Sequence, residues 1–153
     1  MIRTRFGFTL VEVLIVVVVM AILAAVAIPR FSSSTDDAKR CAGEYDVSAL
    51  RSAIQHYKLQ HNERNPPYDA TAHSISVLLN KTTVNGTIDD VAGKYGPYLS
   101  EFPENPNTGV SSVKTISNDP AKSSDLTGNS MGGWLYNVST GNIWLDSDPG
   151  YAY

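Results

Sequence analysis

The most pronounced pattern in the chain is an apolar stretch near its start. Residues 8–28 carry one charged side chain, Glu12, and residues 13–28 carry only apolar ones. A helix over 8–28 would rise ~31 Å at ~1.5 Å per residue, which matches the ~30 Å hydrocarbon core of a bilayer. The pattern therefore predicts a helix that can span a membrane.

A second apolar pattern follows Pro29, which is predicted to end or kink the first helix. Beyond it, apolar residues recur every three or four positions, as on the core-facing side of a helix. These residues are Val47, Leu50, Ile54 and Tyr57, flanked by Ala42, Tyr45, Ala49 and Ala53. We expect an amphipathic helix over 35–61 that continues the first one, is capped by the hydroxyls of residues 32–35, and packs on a sheet.

The remainder of the chain is rich in glycine, proline and polar residues, which predicts short elements joined by loops. The first predicted elements are a turn and extended stretch over 62–69, a short helix over 72–80 and loops over 82–109. They are followed by a short strand near 113–116 and a polar, turn-rich stretch over 117–133. The last is a hairpin of 134–138 and 143–145 around the turn 139–142.

Composition and charge narrow the possible classes of function. Residues 82–153 hold three basic and eight acidic residues, a net charge of −5 within a chain total of −3. A nucleic-acid-binding protein would need a basic surface, so nucleic acid is not an expected partner. Cys41 is the only cysteine, which excludes an intrachain disulfide and a four-cysteine zinc site. We expect it to be a small buried thiol.

The histidines are not spaced as catalytic or metal-binding residues would be. His56, His61 and His73 have no cysteine partners, and His56 and His61 lack the i, i+4 spacing of a helical metal site. We therefore predict that all three histidines are solvated. P-loop and GxGxxG patterns are absent as well, so we expect no enzymatic activity.

Three interpretations of residues 8–28 compete. A secretory signal peptide would be cleaved after the Ala-Val-Ala sequence at 25–27, but its apolar region is ordinarily only ~7–15 residues long. A plain membrane anchor explains the length and leaves the carboxylate of Glu12 unexplained. A segment that is first a membrane anchor and later a packing surface explains both the length of the apolar stretch and the carboxylate of Glu12.

Residues 5–12, with the sequence RFGFTLVE, resemble the signature of the type IV prepilin family. The resemblance extends over residues 1–29, which combine a short basic leader, a long apolar run and a proline at the far end. The family includes type IV pilins and the pseudopilins of type II secretion. The resemblance implies that Gly7 ends a leader removed by a prepilin peptidase, that Phe8 becomes the N-methylated terminus, and that Glu12 serves methylation and assembly.

The same resemblance implies an α+β fold, with one long helix packed on a small antiparallel sheet. Residues 1–7 would be the cleaved leader, 8–29 the transmembrane and assembly helix with a kink at Pro29, and 30–153 a periplasmic or extracellular globular domain. The protein would be a single-pass inner-membrane subunit that later enters a filament. The implied partners are further copies, other pilin-like subunits, the prepilin peptidase, an inner-membrane assembly platform and membrane lipid.

The lone Cys41 favours a pseudopilin of type II secretion, because many type IV pilins close a C-terminal loop with a disulfide. The alternatives are a type IV pilin of a surface pilus, serving adhesion, motility or DNA uptake, and a membrane-anchored binding protein that does not polymerise. Pseudopilins that resemble this chain also hold calcium near the C-terminus. Calcium is the one cofactor that this resemblance suggests, and any Ca²⁺ site is expected among the distal acids Asp119, Asp125, Asp146 and Asp148.

Overall fold

A computed structural model describes residues 7–127 and 132–148, with residues 26–34 described through their backbone alone. One long helix, α1, runs from Leu10 to Gln60. The helix predicted over 35–61 is therefore confirmed, but it is not a separate element, and the hydroxyls of residues 32–35 do not begin it. Pro29 does not end the helix either, because a long helix can continue past the single hydrogen bond that a proline removes.

The chain divides into two compact units, Met1–Ala38 and Lys39–Tyr153. In the first unit, the large apolar side chains from Phe8 to Leu23 are between 48% and 87% exposed. Among the residues that the structure describes, no helix has a stretch that is both long enough and apolar enough to cross a membrane.

The second unit contains the hydrophobic core. The predicted stripe Val47, Leu50, Ile54 and Tyr57 is at most 2% exposed, so its assignment as a core face is confirmed. Tyr45 is 74% exposed, because it precedes Val47 by two residues and so lies about 200° around the helix. Cys41 lies one turn before Tyr45 and is exposed too, so the prediction of a buried thiol was wrong.

A three-stranded sheet packs against this face of α1. Its strands are Val113–Thr115 (β1), Trp134–Tyr136 (β2) and Ile143–Leu145 (β3), in the order β1-β2-β3. The predicted hairpin is confirmed, since β2 and β3 pair antiparallel. β1 pairs parallel to β2, so the prediction of a purely antiparallel sheet was wrong. The long connection after β1 lets β2 run in the same direction as β1, whereas a tight turn would make the two strands antiparallel.

Side chains alternate across the sheet, and both faces are covered. Trp134, Tyr136, Ile143 and Leu145 point into the core with α1. Leu135 and Trp144 point the opposite way and form a smaller cluster with Ala121. β2 and β3 are therefore buried on both sides although each has only three residues.

The segments between α1 and β2 are mostly loops, as predicted. The helix expected over 72–80 is reduced to one 3₁₀ turn, Ser76–Leu78, whose Val77 and Leu78 enter the core. A second 3₁₀ turn, Ser123–Asp125, lies within the predicted polar stretch over 117–133, of which residues 128–131 lie outside the described part of the chain.

Candidate functional site

The start of α1 is capped by three reciprocal hydrogen bonds between Thr9 and Glu12. The backbone N–H and the hydroxyl of Thr9 donate to Oε2 of Glu12, at 2.8 and 2.9 Å. The backbone N–H of Glu12 donates in turn to Oγ1 of Thr9, at 3.2 Å. This arrangement is a capping box, with Thr9 at the N-cap and Glu12 in the first turn.

The capping box holds the Glu12 carboxylate at the amino end of the helix. A negative charge is favoured there, because the unpaired N–H groups of the first turn carry a partial positive charge. The apolar pattern of the sequence does not reveal the part played by Thr9. The Thr-x-x-Glu spacing is the signal that predicts it.

Gly7 and Phe8 precede the helix and are open to solvent. Phe8 is 87% exposed, and a β-carbon placed on Gly7 would meet nothing within 4 Å. The peptide bond between them therefore lies in accessible, non-helical chain, which suits a bond that a protease must reach.

The four distal acids do not form one cluster. Oδ2 of Asp119 accepts a hydrogen bond from Asn142, at 2.8 Å. Both carboxylate oxygens of Asp125 accept from the side-chain amide of Asn118, and Asp148 is exposed. Within residues 7–127 and 132–148, no group of three His, Cys, Asp or Glu side chains is arranged to hold a metal.

Asp146 differs from the other three acids because it is buried and only half paired. Its residue is 1% exposed. Oδ1 accepts a hydrogen bond from the backbone N–H of Thr127 at 2.8 Å, whereas Oδ2 is buried against Gly132 and has no hydrogen-bond partner among the residues that the structure describes. An unpaired buried carboxylate oxygen is costly unless it is protonated or binds a cation. Asp146 is therefore the member of the set that fits a metal ligand.

The three histidines have different environments. His56 and His73 are exposed, as predicted. His61 is only 1% exposed, so the prediction that it is solvated was wrong. His61 is buried just after the end of α1. Its ring stacks on Tyr57, and its nitrogens contact the Tyr57 carbonyl, the Thr82 hydroxyl and the Thr83 carbonyl.

Comparisons with known proteins agree on one group. Residues 2–28 match the family model described as the prokaryotic N-terminal methylation motif. The chain is 31% identical to type II secretion system core protein G of Aeromonas hydrophila over 104 residues, 68% of either chain. It is 33% identical to the protein of that name from Klebsiella michiganensis, over 68% of this chain and 69% of the relative.

The corresponding protein of Pseudomonas aeruginosa is 37% identical over 83 residues, which span 54% of this chain and 56% of that relative. No solved structure is significantly similar to the chain.

Proposed function

This chain belongs to the family of type II secretion system core protein G, and we propose that it is a pseudopilin, a structural subunit that polymerises into the filament of a type II secretion system. The role is that of a building block and not of an enzyme. The relatives favour this role over a surface pilin, because their shared name assigns them to secretion.

One observation carries the proposal. The apolar side chains from Phe8 to Leu23 remain 48–87% exposed, around the whole circumference of the helix. Such a surface is unstable in water, at a cost of roughly 25 cal/mol for each Å² left exposed. Lipid covers it before assembly, and the same segment of neighbouring subunits covers it in a filament. A filament subunit that is stored in the membrane requires such a segment, because lipid surrounds it first and neighbouring subunits surround it later.

The rest of the assignment follows from this segment. Residues 1–7 are the leader, 8–29 form the anchor and assembly helix of a single-pass inner-membrane protein, with a kink at Pro29, and 30–153 form the globular domain outside that membrane. A prepilin peptidase cleaves after Gly7, and the new amino group of Phe8 is methylated. The partners are further copies, other pilin-like subunits and the membrane assembly platform.

Mass spectrometry of the mature amino terminus tests this proposal. A methylated Phe8 supports it, whereas a start at Ile28 would indicate a secretory signal peptide and an intact Met1 a plain anchor. Gly7→Leu is the matched variant, because a branched side chain blocks close approach to the carbonyl of residue 7. Normal processing of Gly7→Leu in cells that contain the peptidase would show that the junction is wrong.

We further propose that Asp146 is a calcium ligand. Ca²⁺ prefers oxygen ligands, and Oδ2 of Asp146 is a buried carboxylate oxygen without a hydrogen-bond partner within residues 7–127 and 132–148. Asp119, Asp125 and Asp148 were included in the expected set, but Asp119 and Asp125 are engaged with asparagine side chains and Asp148 is exposed. When bound, the ion would pair with the buried carboxylate oxygen of Asp146, directly after β3.

A further inference from the structure

His61 lies directly after Gln60, the last residue of α1, and both nitrogens of its ring face carbonyl oxygens. Nδ1 lies 2.8 Å from the carbonyl of Tyr57, and Nε2 lies 3.0 Å from the carbonyl of Thr83. The ring is shielded from water, since the residue is 1% exposed. A carbonyl oxygen only accepts hydrogen bonds, so each of these contacts calls for an N–H group on the ring.

A neutral imidazole does not satisfy both contacts, because it has one N–H group and one bare nitrogen. With the proton on Nδ1, the lone pair of Nε2 faces the Thr83 carbonyl at 3.0 Å. With the proton on Nε2, the lone pair of Nδ1 faces the Tyr57 carbonyl at 2.8 Å. The Thr82 hydroxyl, 3.0 Å from Nε2, can donate to that nitrogen in the first case, but the repulsion from the Thr83 carbonyl remains. The imidazolium, which has two N–H groups, is the form that fits.

The end of α1 and the ring of Tyr57 also favour a positive charge on His61. Tyr57 belongs to the last turn of α1, whose carbonyls have no partner within the helix and carry a partial negative charge. The Tyr57 ring lies parallel to the imidazole with centroids 3.9 Å apart, within the ~6 Å over which an aromatic face attracts a cation. These contacts offset the cost of removing a charged ring from water.

The ring packs against three tyrosines, and an arginine follows it in the chain. Tyr57 stacks on it from α1, while Tyr95 and Tyr98 meet it edge-on, at centroid distances of 5.4 and 6.3 Å. Burial raises the pKa of the Tyr57 and Tyr98 phenols above their ordinary 10.0, so both stay neutral between about pH 5 and about pH 8. The charge of Arg64 lowers the pKa of Tyr57 and, being positive, opposes the imidazolium.

On its Nε2 side the ring contacts the point where the two ends of loop 82–95 meet. The N–H of Thr82 donates to the Tyr95 carbonyl at 2.8 Å, and the Thr82 carbonyl accepts from the N–H groups of Lys94 and Tyr95 at 3.0 and 3.1 Å. The N–H of Gly86 donates to the Thr83 carbonyl at 2.9 Å, which leaves one lone pair of that oxygen for the ring. A change at Nε2 therefore acts on the base of the whole loop.

We propose that the imidazolium of His61 fastens loop 82–95 to the end of α1, and that the loop loosens when the ring loses a proton. Histidine ordinarily changes its charge between about pH 5 and about pH 8. Nδ1 keeps its proton, because the Tyr57 carbonyl is fixed at the end of the helix. Nε2 therefore gives its proton to water, and its lone pair then repels the Thr83 carbonyl. The loop moves away from the ring because α1 is the more rigid partner.

Nitrogen-15 NMR of the full chain in detergent, labelled in its histidine rings, tests the protonation state. At about pH 5 both ring nitrogens of His61 should have the nearly equal shifts of an imidazolium, and by about pH 8 Nε2 alone should have the shift of a bare nitrogen. The signals of His61 are identified by their loss in His61→Gln. A ring that keeps one form over this whole range, whether neutral or doubly protonated, would overturn the proposal, as would loss of the proton from Nδ1.

Hydrogen exchange of the same protein measures the loosening of the loop. Protection of the N–H groups of Thr82, Lys94 and Tyr95 is corrected for the intrinsic exchange rate at each pH. It should fall about tenfold between the two pH values, because losing a charge-assisted hydrogen bond changes an equilibrium by about that factor or more. In His61→Gln the protection should not depend on pH, since an amide does not titrate. His56→Gln is the matched control, because His56 is exposed on α1, and it should keep the fall.

The fastening is refuted if the loop keeps its protection while the ring titrates, or if His61→Gln shows the same fall as the unmodified chain. An equal fall at the N–H of Trp134, which donates to the Ser112 carbonyl beside the sheet, would indicate loosening of the whole domain and would refute it too. If His61→Gln does not fold, the unmodified chain still decides, because the ring shifts and the loop protection must change with one midpoint. Two different midpoints would contradict the proposal.

Discussion

The imidazole of His61 lies parallel to the phenol ring of Tyr57, with ring centroids 3.9 Å apart and 6° between the planes. Its Nδ1 lies 2.8 Å from the Tyr57 carbonyl, and its Nε2 lies 3.0 Å from both Oγ1 of Thr82 and the Thr83 carbonyl. The ring therefore joins the last turn of α1 to the loop that contains Thr82 and Thr83.

His61→Ala should lower the free energy of unfolding by about 2–4 kcal/mol, because it opens a cavity and leaves buried hydrogen-bonding groups unpaired. Chemical unfolding of the detergent-solubilised chain, followed by fluorescence of the buried Trp134 and Trp144, measures the change. His56→Ala is the matched control on the exposed side of α1, and its effect should stay within about 0.5 kcal/mol. Equal effects of the two variants would contradict a structural role for His61.

His61 also shows where prediction from sequence reaches its limit. Periodicity located the core stripe of α1 and the hairpin, because burial of apolar side chains follows a local repeat. The burial of His61 depends on Thr82, which is distant in sequence, and no local pattern encodes such a contact. The parallel pairing of β1 likewise depends on the path of a long connection. At the helix start, by contrast, the Thr9 and Glu12 pair is encoded by neighbouring residues.

Asp69 should make the free energy of unfolding depend on pH under acidic conditions. Hydrogen bonds from the Ala72 N–H, the Ser76 hydroxyl and the Thr71 N–H hold the pKa of the Asp69 carboxyl below its ordinary 3.8. The pKa of Asp69 is lower in the folded protein than in the unfolded protein. The resulting stabilisation is therefore present above pH 3.8 and is lost as the pH falls through the lowered pKa. Unfolding midpoints between about pH 5 and about pH 2 measure the loss.

Asp69→Asn is the variant for this measurement, since an amide oxygen can still accept from the backbone while it carries no charge. The variant should lose less stability on acidification than the unmodified chain. An identical pH profile for the two proteins would show that Asp69 does not contribute.

Residues 30–153 should fold on their own and remain monomeric. They include the whole second unit, Lys39–Tyr153, with the core stripe and the sheet, and they lack the exposed apolar segment 8–28. We expect one cooperative unfolding transition and a monomer in analytical ultracentrifugation. A segment that begins at residue 55 lacks Val47, Leu50 and Ile54 and should not fold. A stable oligomer of 30–153 at micromolar concentration would contradict the prediction.

Calcium should raise the melting temperature of the protein if Asp146 is a ligand. A ligand that binds only the folded state stabilises it by mass action, by ~2.7 kcal/mol at a concentration 100 times its dissociation constant. Mg²⁺ should do less, because it gives up its water reluctantly. Asp146→Asn should abolish the shift, and Asp119→Asn should keep it, since Asp119 is paired with Asn142. No shift with millimolar Ca²⁺ would refute the calcium site.

Glu12→Leu should insert into the membrane and be cleaved after Gly7, yet fail to enter filaments. Cleavage converts the backbone nitrogen of Phe8 from a neutral amide into an amine that can carry a positive charge. In a filament of staggered parallel helices, Glu12 can reach the amine of a neighbour. Two charges ~4 Å apart at an effective dielectric of ~20 attract by ~4 kcal/mol before desolvation is subtracted. Such pairing would reward one axial register, whereas the valines at 16–19 fit many.

Glu12→Gln distinguishes the role of the negative charge from the role of the capping box. Glutamine at this position preserves a capping box with Thr9 but cannot pair with a cation. If charge pairing drives assembly, both variants should fail when they are expressed with the machinery and the sheared filaments are quantified. If Glu12→Gln assembles like the unmodified chain while Glu12→Leu does not, the carboxylate acts only by capping α1, and the pairing with a neighbouring Phe8 is wrong. Normal yield from Glu12→Leu would remove any assembly role, because that variant has lost both the charge and the side-chain half of the capping box.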